Sequence, residues 1–402
     1  MSRNVPKLRF NGFDGELKSF KFKQLVKLQR GSSPRPIVKY ITDSDDGVNW
    51  IKIGDVSKGE TIINSTKEKI TKEGALKSRF VQVGDLILSN SMSYGRPYIM
   101  GIDGYIHDGW FVLRDYENNF KRDYLCQLLT SSVIQKQYKK LAAGGVVDNI
   151  SSELVNSVSI KLPSLQEQEK IVNFLSKVDS IIEKQEKKVQ YWNSYKKGMM
   201  QKIFSQKIRF KDENGMDYPE WKINKIENIA TIEMGFTPST KNDEAWNGNI
   251  EWLSIAGMNS KYIYSGNKKI SSEILGKRKL VPIDTLIMSF KLTIGRLAIV
   301  KKEIVTNEAI CQFYWKSKDI SNEYMYAYLS VINIESFGCR AAKGITLNTE
   351  SLNSIVVKLP CLEEQTKIAN FLSNIDNIIE KESKKLEELK QWKKGLLQQL
   401  FV

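Results

Sequence analysis

The most regular hydrophobic pattern of this chain occurs twice. Residues 161–204 and 358–401 align without a gap, and 24 of their 44 positions are identical. In both segments apolar residues recur at the three- and four-residue spacing of one helix face, while Lys and Glu fill the opposite face. The spacing predicts two long helices, each about 60 Å long at roughly 1.5 Å of rise per residue.

The apolar stripes of these two helices need a partner, and the other copy is the nearest candidate. We expect an antiparallel coiled coil around an internal pseudo-two-fold axis; the alternative is that each helix packs only on its own globular segment. The residues assigned to coiled-coil pairing or subunit docking are Ile171, Phe174, Leu175, Val178, Ile182, Ile368, Phe371, Leu372, Ile375 and Ile379. A second apolar group, near the helix ends, is a candidate for recruiting outside subunits: Met199, Met200, Ile203, Phe204, Leu396, Leu397, Leu400 and Phe401.

Each helix begins with a local sequence signal. Ser164 and Glu167 follow Pro163 and fit a capping box, in which the hydroxyl and the carboxylate bind exposed backbone N–H groups. In the second copy Cys361 replaces the serine while Glu364 is kept, so we expect a weaker cap there.

The segments that precede the helices predict domains of mixed α and β structure. Short apolar runs between glycines and polar turns, such as RFVQVGDLIL (79–88) and TLIMSF (285–290), indicate strands. Residues 124–143 and 324–342 each predict a helix late in their segment.

Weaker matches between these segments extend the duplication over the whole chain. GSSP (31–34) corresponds to GFTP (235–238), and Trp50 and Trp252 fall at matching places and are assigned to the core, with a role as stacking platforms as the alternative. We therefore predict an α+β fold with two tandem domains and two spacer helices. The predicted boundaries are 1–163 and 205–360 for the domains, and 164–204 and 361–402 for the helices.

The net charge of +15 lies mostly outside the helices. Residues 1–163 carry 25 Lys/Arg against 17 Asp/Glu, net +8, and residues 205–360 carry 21 against 17, net +4. A basic surface attracts polyanions, of which nucleic acid is the commonest. The alternative is that the positive charge serves only to keep the protein soluble. We expect the globular segments to meet the polyanion.

The chain carries few signs of secretion, membrane insertion or metal binding. Residues 1–23 are polar and unlike a signal peptide, and no run of about 18 apolar residues occurs. The four cysteines lie far apart and His107 is the one histidine, so we expect reduced thiols, no metal site and a cytoplasmic protein.

Polar loops of both domains supply side chains that suit base edges and phosphates. The predicted DNA-binding residues are Ser33, Arg35, Lys58, Ser91, Tyr94, Arg96, Asn149, Thr237, Ser239, Lys241, Asn259, Lys261, Lys291, Thr293, Arg296 and Asn348. Arg96 and Arg296 belong to matching Gly-Arg dipeptides, and a structural ion pair is the alternative for both.

Motifs for catalysis are missing from the sequence. It contains no glycine-rich phosphate loop, no Asn/Asp-Pro-Pro-aromatic tetrapeptide of adenine methyltransferases, and no assembly of nucleophile, base and orienting group. We expect no catalytic residue and no cofactor bound by this chain.

The chain resembles the specificity (S) subunits of type I restriction–modification systems. The resemblance rests on the duplicated KLP-x-L-x-E-Q-x-K-I-x-N-F-L-S-x-x-D-x-I-I-E-K blocks, each ending in KKG and a Phe. GSSP/GFTP, the Gly-Arg dipeptides and AAGG/AAKG add support, while HDGWF (107–111) departs further from the family pattern than TNEAI (306–310).

The resemblance implies that each domain is a target recognition domain, which enters the major groove of double-stranded DNA and reads half of a bipartite site. The helices would set the unread spacer and dock two methyltransferase (M) subunits, to which restriction (R) subunits are added. S-adenosylmethionine, ATP and Mg²⁺ would be used by those partners. Four residues inserted near Lys187 would then lengthen the spacer. The rival hypothesis is a basic coiled-coil scaffold that binds DNA without sequence preference.

Overall fold

The computed structural model describes residues 5–56, 59–90, 95–142, 150–341 and 344–402, with the backbone alone at 142, 339–341 and 344–346. The chain divides into two compact units. The first comprises Met1–Glu186 with Lys384–Val402, and the second comprises Lys187–Ser383. Both combine mixed sheets with parts of two long helices, so the predicted α+β class and the duplication are confirmed.

The first unit contains twelve strands among the residues described for it. They are β1 (Lys18–Lys21), β2 (Lys27–Arg30), β3 (Ile41–Thr42), β4 (Val48–Ile51), β5 (Ile62–Ile63), β6 (Glu68–Ile70), β7 (Arg79–Val81), β8 (Leu86–Ser89), β9 (Pro97–Met100), β10 (Gly104–Ile106), β11 (Trp110–Arg114) and β12 (Ser159–Leu162). Its helices are α1 (Lys72–Ala75), α2 (Arg122–Thr130), α3 (Ser132–Ala142), α4 (Ser152–Ser157), the first part of α5 (Leu165–Phe204) and the last part of α10 (Leu362–Leu400), with 3-10 turns at Phe22–Gln24, Ile37–Lys39 and Ile53–Asp55.

The central sheet of the first unit has the strand order β2-β11-β8-β9-β5, and a second sheet has the order β3-β6-β4-β10-β7. β1 and β12 form a separate antiparallel pair. Strand β8 is buried on both faces: Leu86 and Leu88 join one apolar core and Ile87 joins another. This alternation follows from the two-residue period of a strand and places β8 at the middle of the unit.

The second unit repeats this plan, but its second sheet has three strands, among the residues described, where that of the first unit has five. Its strands are β13 (Lys222–Lys225), β14 (Ala230–Met234), β15 (Ile250–Leu253), β16 (Tyr262–Ile263), β17 (Lys268–Ile270), β18 (Leu286–Ser289), β19 (Leu297–Val300), β20 (Val305–Thr306), β21 (Ile310–Trp315), β22 (Cys339–Ala341), β23 (Gly344–Thr346) and β24 (Val356–Leu359). Its helices are α6 (Ile226–Ile229), α7 (Ser272–Leu275), α8 (Asn322–Leu329), α9 (Thr349–Asn353) and parts of α5 and α10 (Leu362–Leu400), with 3-10 turns at Asp243–Trp246, Ile255–Gly257 and Ile334–Phe337.

The strand orders of the two units correspond one to one in the central sheet. The order β14-β21-β18-β19-β16 matches β2-β11-β8-β9-β5, and β13 pairs with β24 as β1 pairs with β12. In β18, Ile287 lies in one core while Leu286 and Met288 lie in another, as in β8. Trp50 and Trp252 are buried, with exposed fractions of 2% and 3%, so their assignment to the core is confirmed.

The helix predicted at 324–342 is wrong over its second half. α8 ends at Leu329, a 3-10 turn follows, and residues 339–341 form β22. The Ser330 hydroxyl donates to the Ala327 carbonyl (2.7 Å). The β-branched Val331 and Ile332 that follow have low helix propensity. The helix predicted at 124–143 is present but divided between α2 and α3.

Each long helix begins at a buried polar anchor. In α5 the Ser164 hydroxyl accepts from Glu167 N (3.2 Å), so the serine half of the predicted capping box is confirmed. The Glu167 carboxylate has a different role from the one predicted, because it accepts from Arg9 Nε (2.8 Å) and Nη2 (3.0 Å). The neighbouring Gln168 donates from Nε2 to the carbonyls of Asn119 (2.9 Å) and Pro163 (3.1 Å).

The second helix repeats this anchor. Glu364 accepts from Arg209 and from Trp221 Nε1 (2.9 Å), and Gln365 Nε2 donates to the carbonyls of Asp319 and Pro360, both at 2.9 Å. Glu167, Gln168, Glu364 and Gln365 are all buried. The Glu-Gln pair that both copies of the duplicated block share therefore fixes each helix to its own globular domain.

The apolar faces of the helices line the cores of the two units. The predicted pairing or docking residues with exposed fractions of 9% or less are Ile171, Leu175, Val178, Ile182, Ile368, Leu372 and Ile375, while Phe174, Phe371 and Ile379 are partly buried against the same cores. The expectation that the helix ends recruit outside subunits is wrong for six residues that are buried there instead: Met200, Ile203, Phe204, Leu396, Leu400 and Phe401.

Ion pairs show that α5 and α10 run antiparallel within each unit. In the second unit Lys188 pairs with Glu382 (2.7 Å) and Lys196 with Asp376 (2.5 Å). Residue numbers thus rise along one helix while the numbers of their partners fall along the other. In the first unit Asp179–Lys393 (2.5 Å) and Glu186–Lys390 (2.9 Å) follow the same rule. None of the helices described here is long and apolar enough to cross a membrane.

Candidate nucleic-acid interface

In the first unit the GSSP loop is tied to the turn between β10 and β11. Ser33 Oγ donates to Asp108 Oδ1 (2.7 Å), and Arg35 Nη2 donates to Asp108 Oδ2 (3.3 Å). The hydrogen bond from Ser33 lowers the pKa of the Asp108 carboxyl below its ordinary value. An ionised carboxylate therefore holds two of the predicted DNA-binding residues at one place.

His107 supports this turn from within the domain. Its Nδ1 accepts from Gly109 N (2.6 Å), and its ring lies near Trp50 and Trp110, with ring centroids 6.2 and 6.4 Å away. Burial lowers the pKa of His107, which keeps the ring neutral and its Nδ1 available as an acceptor.

The base of the β8–β9 hairpin lies at the same end of the central sheet. Asn90, the last described residue before the tip of the β8–β9 hairpin, donates from N to the Gly109 carbonyl (2.9 Å) and from Nδ2 to the Asp108 carbonyl (2.8 Å). The loop and the turn border a cleft of about 570 Å³ lined by residues 33–38, Trp50, Lys52, His107 and Asp108.

The second unit builds the same arrangement from different residues. Thr237 Oγ1 donates to Glu308 Oε2 and accepts from Asn307 Nδ2 (2.7 Å), and Asn307 Oδ1 accepts from Ala309 N (2.7 Å). Phe290 N donates to the Ala309 carbonyl (3.0 Å), which brings the base of the β18–β19 hairpin to the turn.

The correspondence between the units is chemical as well as topological. Asn307 Oδ1 and His107 Nδ1 accept from equivalent backbone N–H groups, those of Ala309 and Gly109. HDGWF and TNEAI thus differ in sequence while they stabilise the same turn, with Asp108 and Glu308 at matching positions.

The tip of the β18–β19 hairpin is the most exposed part of this edge. Leu292 is 94% exposed and has a φ of +64°, and its neighbours Lys291 and Thr293 are exposed as well. Arg296, at the end of the hairpin, donates from Nη1 to the Ile255 carbonyl (3.0 Å), whereas Arg96 is exposed.

Other predicted residues of the second unit lie away from the turn or have local roles. Lys261 pairs with Glu323 (2.7 Å) and its Nζ lies 3.4 Å from Ser373 Oγ of α10. Asn348 is the N-cap of α9 and accepts from Ser351 N (2.8 Å). The remaining exposed candidates are Ser239, Lys241 and Asn259. Lys58, Ser91, Tyr94 and Asn149 lie outside the described residues.

Sequence reasoning missed the carboxylates that organise both edges. Asp108 and Glu308 lie 200 residues apart, the spacing at which the hairpins also match, and each follows the residue whose side chain accepts from the turn backbone. That constant spacing was the available signal. An acidic residue in a basic loop was not a natural choice for a DNA contact.

Comparison with known proteins identifies this pair of units. The family model described as type I restriction modification DNA specificity domain matches the chain twice, over residues 15–190 and 218–391. The chain belongs to this family.

Two specificity subunits of one archaeon match most of the chain. The putative type I restriction enzyme MjaX specificity subunit of Methanocaldococcus jannaschii is 27% identical over 386 residues, covering 91% of this chain and 86% of that protein. The MjaVIII specificity subunit of the same organism is 25% identical over 345 residues, covering 81% and 80%.

Solved structures share the fold at low sequence identity. A chain from a structure of a type I restriction–modification system has a TM-score of 0.67 and 16% identity, covering 96% of this chain and 99% of that chain. The HsdS subunit of Thermoanaerobacter tengcongensis has a TM-score of 0.51 and 18% identity, covering 96% and 98%.

Proposed function

We propose that this chain is the sequence-recognition subunit of a cytoplasmic type I restriction–modification complex, and that each unit reads one half of a bipartite site in double-stranded DNA. The observation that carries the proposal is that both units have the same three segments at one end of the central sheet. In each unit these segments are a loop, a turn and a hairpin base, but the polar side chains at matching positions differ. Such a pair suits two half-sites of different sequence.

Charge supports a role for the globular domains in binding the DNA. Their net charges of +8 and +4 favour contact with phosphates, and exposed cations such as Arg35, Lys241 and Lys291 lie on the predicted loops. Phosphate contacts position a protein on the duplex, and polar side chains at the major-groove edges of the bases supply sequence preference.

Catalysis belongs to partner subunits in this proposal. Two methyltransferase subunits would dock on the helices, bind S-adenosylmethionine and methylate adenine N6, and restriction subunits would use ATP and Mg²⁺. The support is the block of residues 161–204, which is retained in 358–401 at 24 of 44 positions although the domains have diverged. Two copies of one docking surface suit two copies of one partner.

The test is to co-express the chain with the methyltransferase subunit of its own system in a host without DNA methylation, and to map N6-methyladenine by single-molecule sequencing. We expect one bipartite motif with a fixed gap, and no motif when the methyltransferase subunit is expressed alone. A soluble complex that methylates no defined motif overturns the proposal and supports the scaffold hypothesis. Binding of the purified chain would then depend on salt but not on sequence.

A further inference from the structure

We infer that Arg35 with Asp108, and Glu308 with Thr237, are the specificity-determining groups at matching places in the two units, and that they read base edges of opposite hydrogen-bonding character. The first unit presents a donor to guanine. The second presents an acceptor to an exocyclic amino group, that of cytosine or adenine. This inference rests on the proposed function, because it names side chains that would read the two half-sites.

The hydrogen bonds of the second unit have a fixed direction. Ala309 N–H donates to Asn307 Oδ1, which orients the amide so that Nδ2 donates to Thr237 Oγ1. With that acceptor position occupied, the Thr237 hydroxyl donates to Glu308 Oε2. The chain thus holds an exposed carboxylate in one orientation, before any ligand arrives.

The first unit uses its carboxylate differently. Asp108 accepts from the Ser33 hydroxyl on Oδ1 and from Arg35 on Oδ2, so both oxygens are occupied from the loop side. The Arg35 side chain is 80% exposed, against 43% for Asp108. The carboxylate therefore orients a guanidinium that faces solvent, and the group presented outward is a planar set of donors.

The loop sequences explain the difference. GSSPRP places an arginine two residues after the serine that binds the carboxylate, whereas GFTPST places Ser239 two residues after Thr237. The loop of the second unit therefore supplies no guanidinium to Glu308, which is exposed.

A carboxylate on a DNA-binding edge needs a specific use, because phosphates repel it. In the major groove an acidic side chain accepts from the amino group of cytosine, and adenine carries the other amino donor, while arginine binds O6 and N7 of guanine. The directed carboxylate of Glu308 and the supported guanidinium of Arg35 match these two edges.

The inference is tested with the complex of this chain and its methyltransferase subunit, after the wild-type motif has been mapped. Competition binding is measured against duplexes in which each position of the motif is replaced in turn. E308Q removes the charge and places an amide at the same position, and R35K keeps the charge but removes the planar fork. Exposed acidic residues outside the edge provide controls, E303Q for the second unit and D45N for the first.

We expect E308Q to reduce discrimination by about tenfold at one position of one half-site, where the motif carries cytosine or adenine. The affinity of E308Q for duplex DNA that lacks the motif should be unchanged or higher, because a negative charge is removed. R35K should reduce discrimination at one guanine of the other half-site by a similar factor. The position that responds to E308Q distinguishes cytosine from adenine.

Unchanged base discrimination at every position in both variants would overturn the inference. A uniform loss of affinity at all positions would also overturn it, because that result indicates a structural role or a phosphate contact. Absence of any bipartite motif for the wild type would instead refute the proposed function. A variant that binds too weakly for competition is compared with wild type by melting temperature. An equal melting temperature combined with loss of all binding also counts against a single base contact.

Discussion

The guanidinium of Arg209 holds the buried carboxylate of Glu364 with two hydrogen bonds, from Nε to Oε1 (3.3 Å) and from Nη2 to Oε2 (2.9 Å). The Glu364 side chain is fully buried, and Arg209 is 16% exposed. Arg9 makes the same pair of bonds to Glu167 in the other unit. The glutamate shared by both copies of the duplicated block thus forms an ion pair that joins each spacer helix to the segment that leads into its domain.

Removing this carboxylate should unfold the second unit locally. E364A leaves Arg209 and the Trp221 indole N–H without their buried acceptor, and breaking a buried ion pair costs about 3–5 kcal/mol. Hydrogen–deuterium exchange of the full chain should show faster exchange in peptides of residues 205–383, with the first unit little changed. The neighbouring exposed residue offers a matched control, E363A. Equal protection in the two variants would show that the anchor contributes little.

The sequence predicted the structure correctly where the sequence pattern is local or periodic. The helix spacing predicted α5 and α10, and apolar runs predicted β8 and β18. Glu167 was misassigned because Ser164 and Glu167 satisfy a local capping pattern, whereas the partner of that carboxylate, Arg9, is 158 residues away.

The candidate site was predictable in its loops and less so in its chemistry. Ser33, Arg35 and Thr237 were chosen by residue type, but their partners within the chain depend on strand pairing that brings together residues 70 to 75 positions apart. Lys261 was chosen for the same reason, and in the fold it forms an ion pair with Glu323. No local pattern predicts that pairing.

The antiparallel pairing of α5 and α10 predicts energetic coupling between Lys196 and Asp376. These side chains are 25% and 37% exposed, so the coupling should be about 0.5–1 kcal/mol. D376K alone should destabilise the second unit, and the exchanged pair K196D/D376K should recover most of that loss. A double-mutant cycle from urea unfolding measures the coupling, which should fall at high salt. Strictly additive effects would contradict the pairing.

The partly buried imidazole of His107 makes the first unit sensitive to acid. Burial lowers its pKa in the folded state, so the unfolded chain binds the extra proton more readily below its ordinary pKa of about 6.5. Stability should be fully present above that pH and should decline as the pH falls towards the folded pKa. The charged neighbours that also act on the ring are Asp108, Lys52 and Asp55.

Replacement of this histidine by the residue at the matching position of the second unit separates its effect from general acid sensitivity. H107N retains an acceptor for Gly109 N but does not titrate. Between pH 7.5 and 5.5 the melting temperature of the wild type should fall more than that of the variant. Parallel curves for the two proteins would exclude His107 as the titrating group.

The length of the paired helices should set the unread gap between the half-sites. α5 and α10 both continue from one unit into the other, and their ion pairs fix an antiparallel register on each side of residues 186–187 and 383–384. Four residues inserted after Glu186 alone would shift that register, so the matched change adds four residues after Glu186 and four after Ser383. Four residues are slightly more than one helical turn, which keeps the apolar stripes nearly in phase.

This double insertion adds about 6 Å to each helix, or roughly two base pairs of DNA at about 3.4 Å each. In the methylation assay we expect both half-sites to be retained and the gap to lengthen by about two base pairs. A four-residue insertion after Asn214, in an exposed turn of the second unit, should leave the gap unchanged. If the double insertion methylates the original motif with its original gap, the helices do not measure the spacer, and the separation of the domains must depend on the partner subunits.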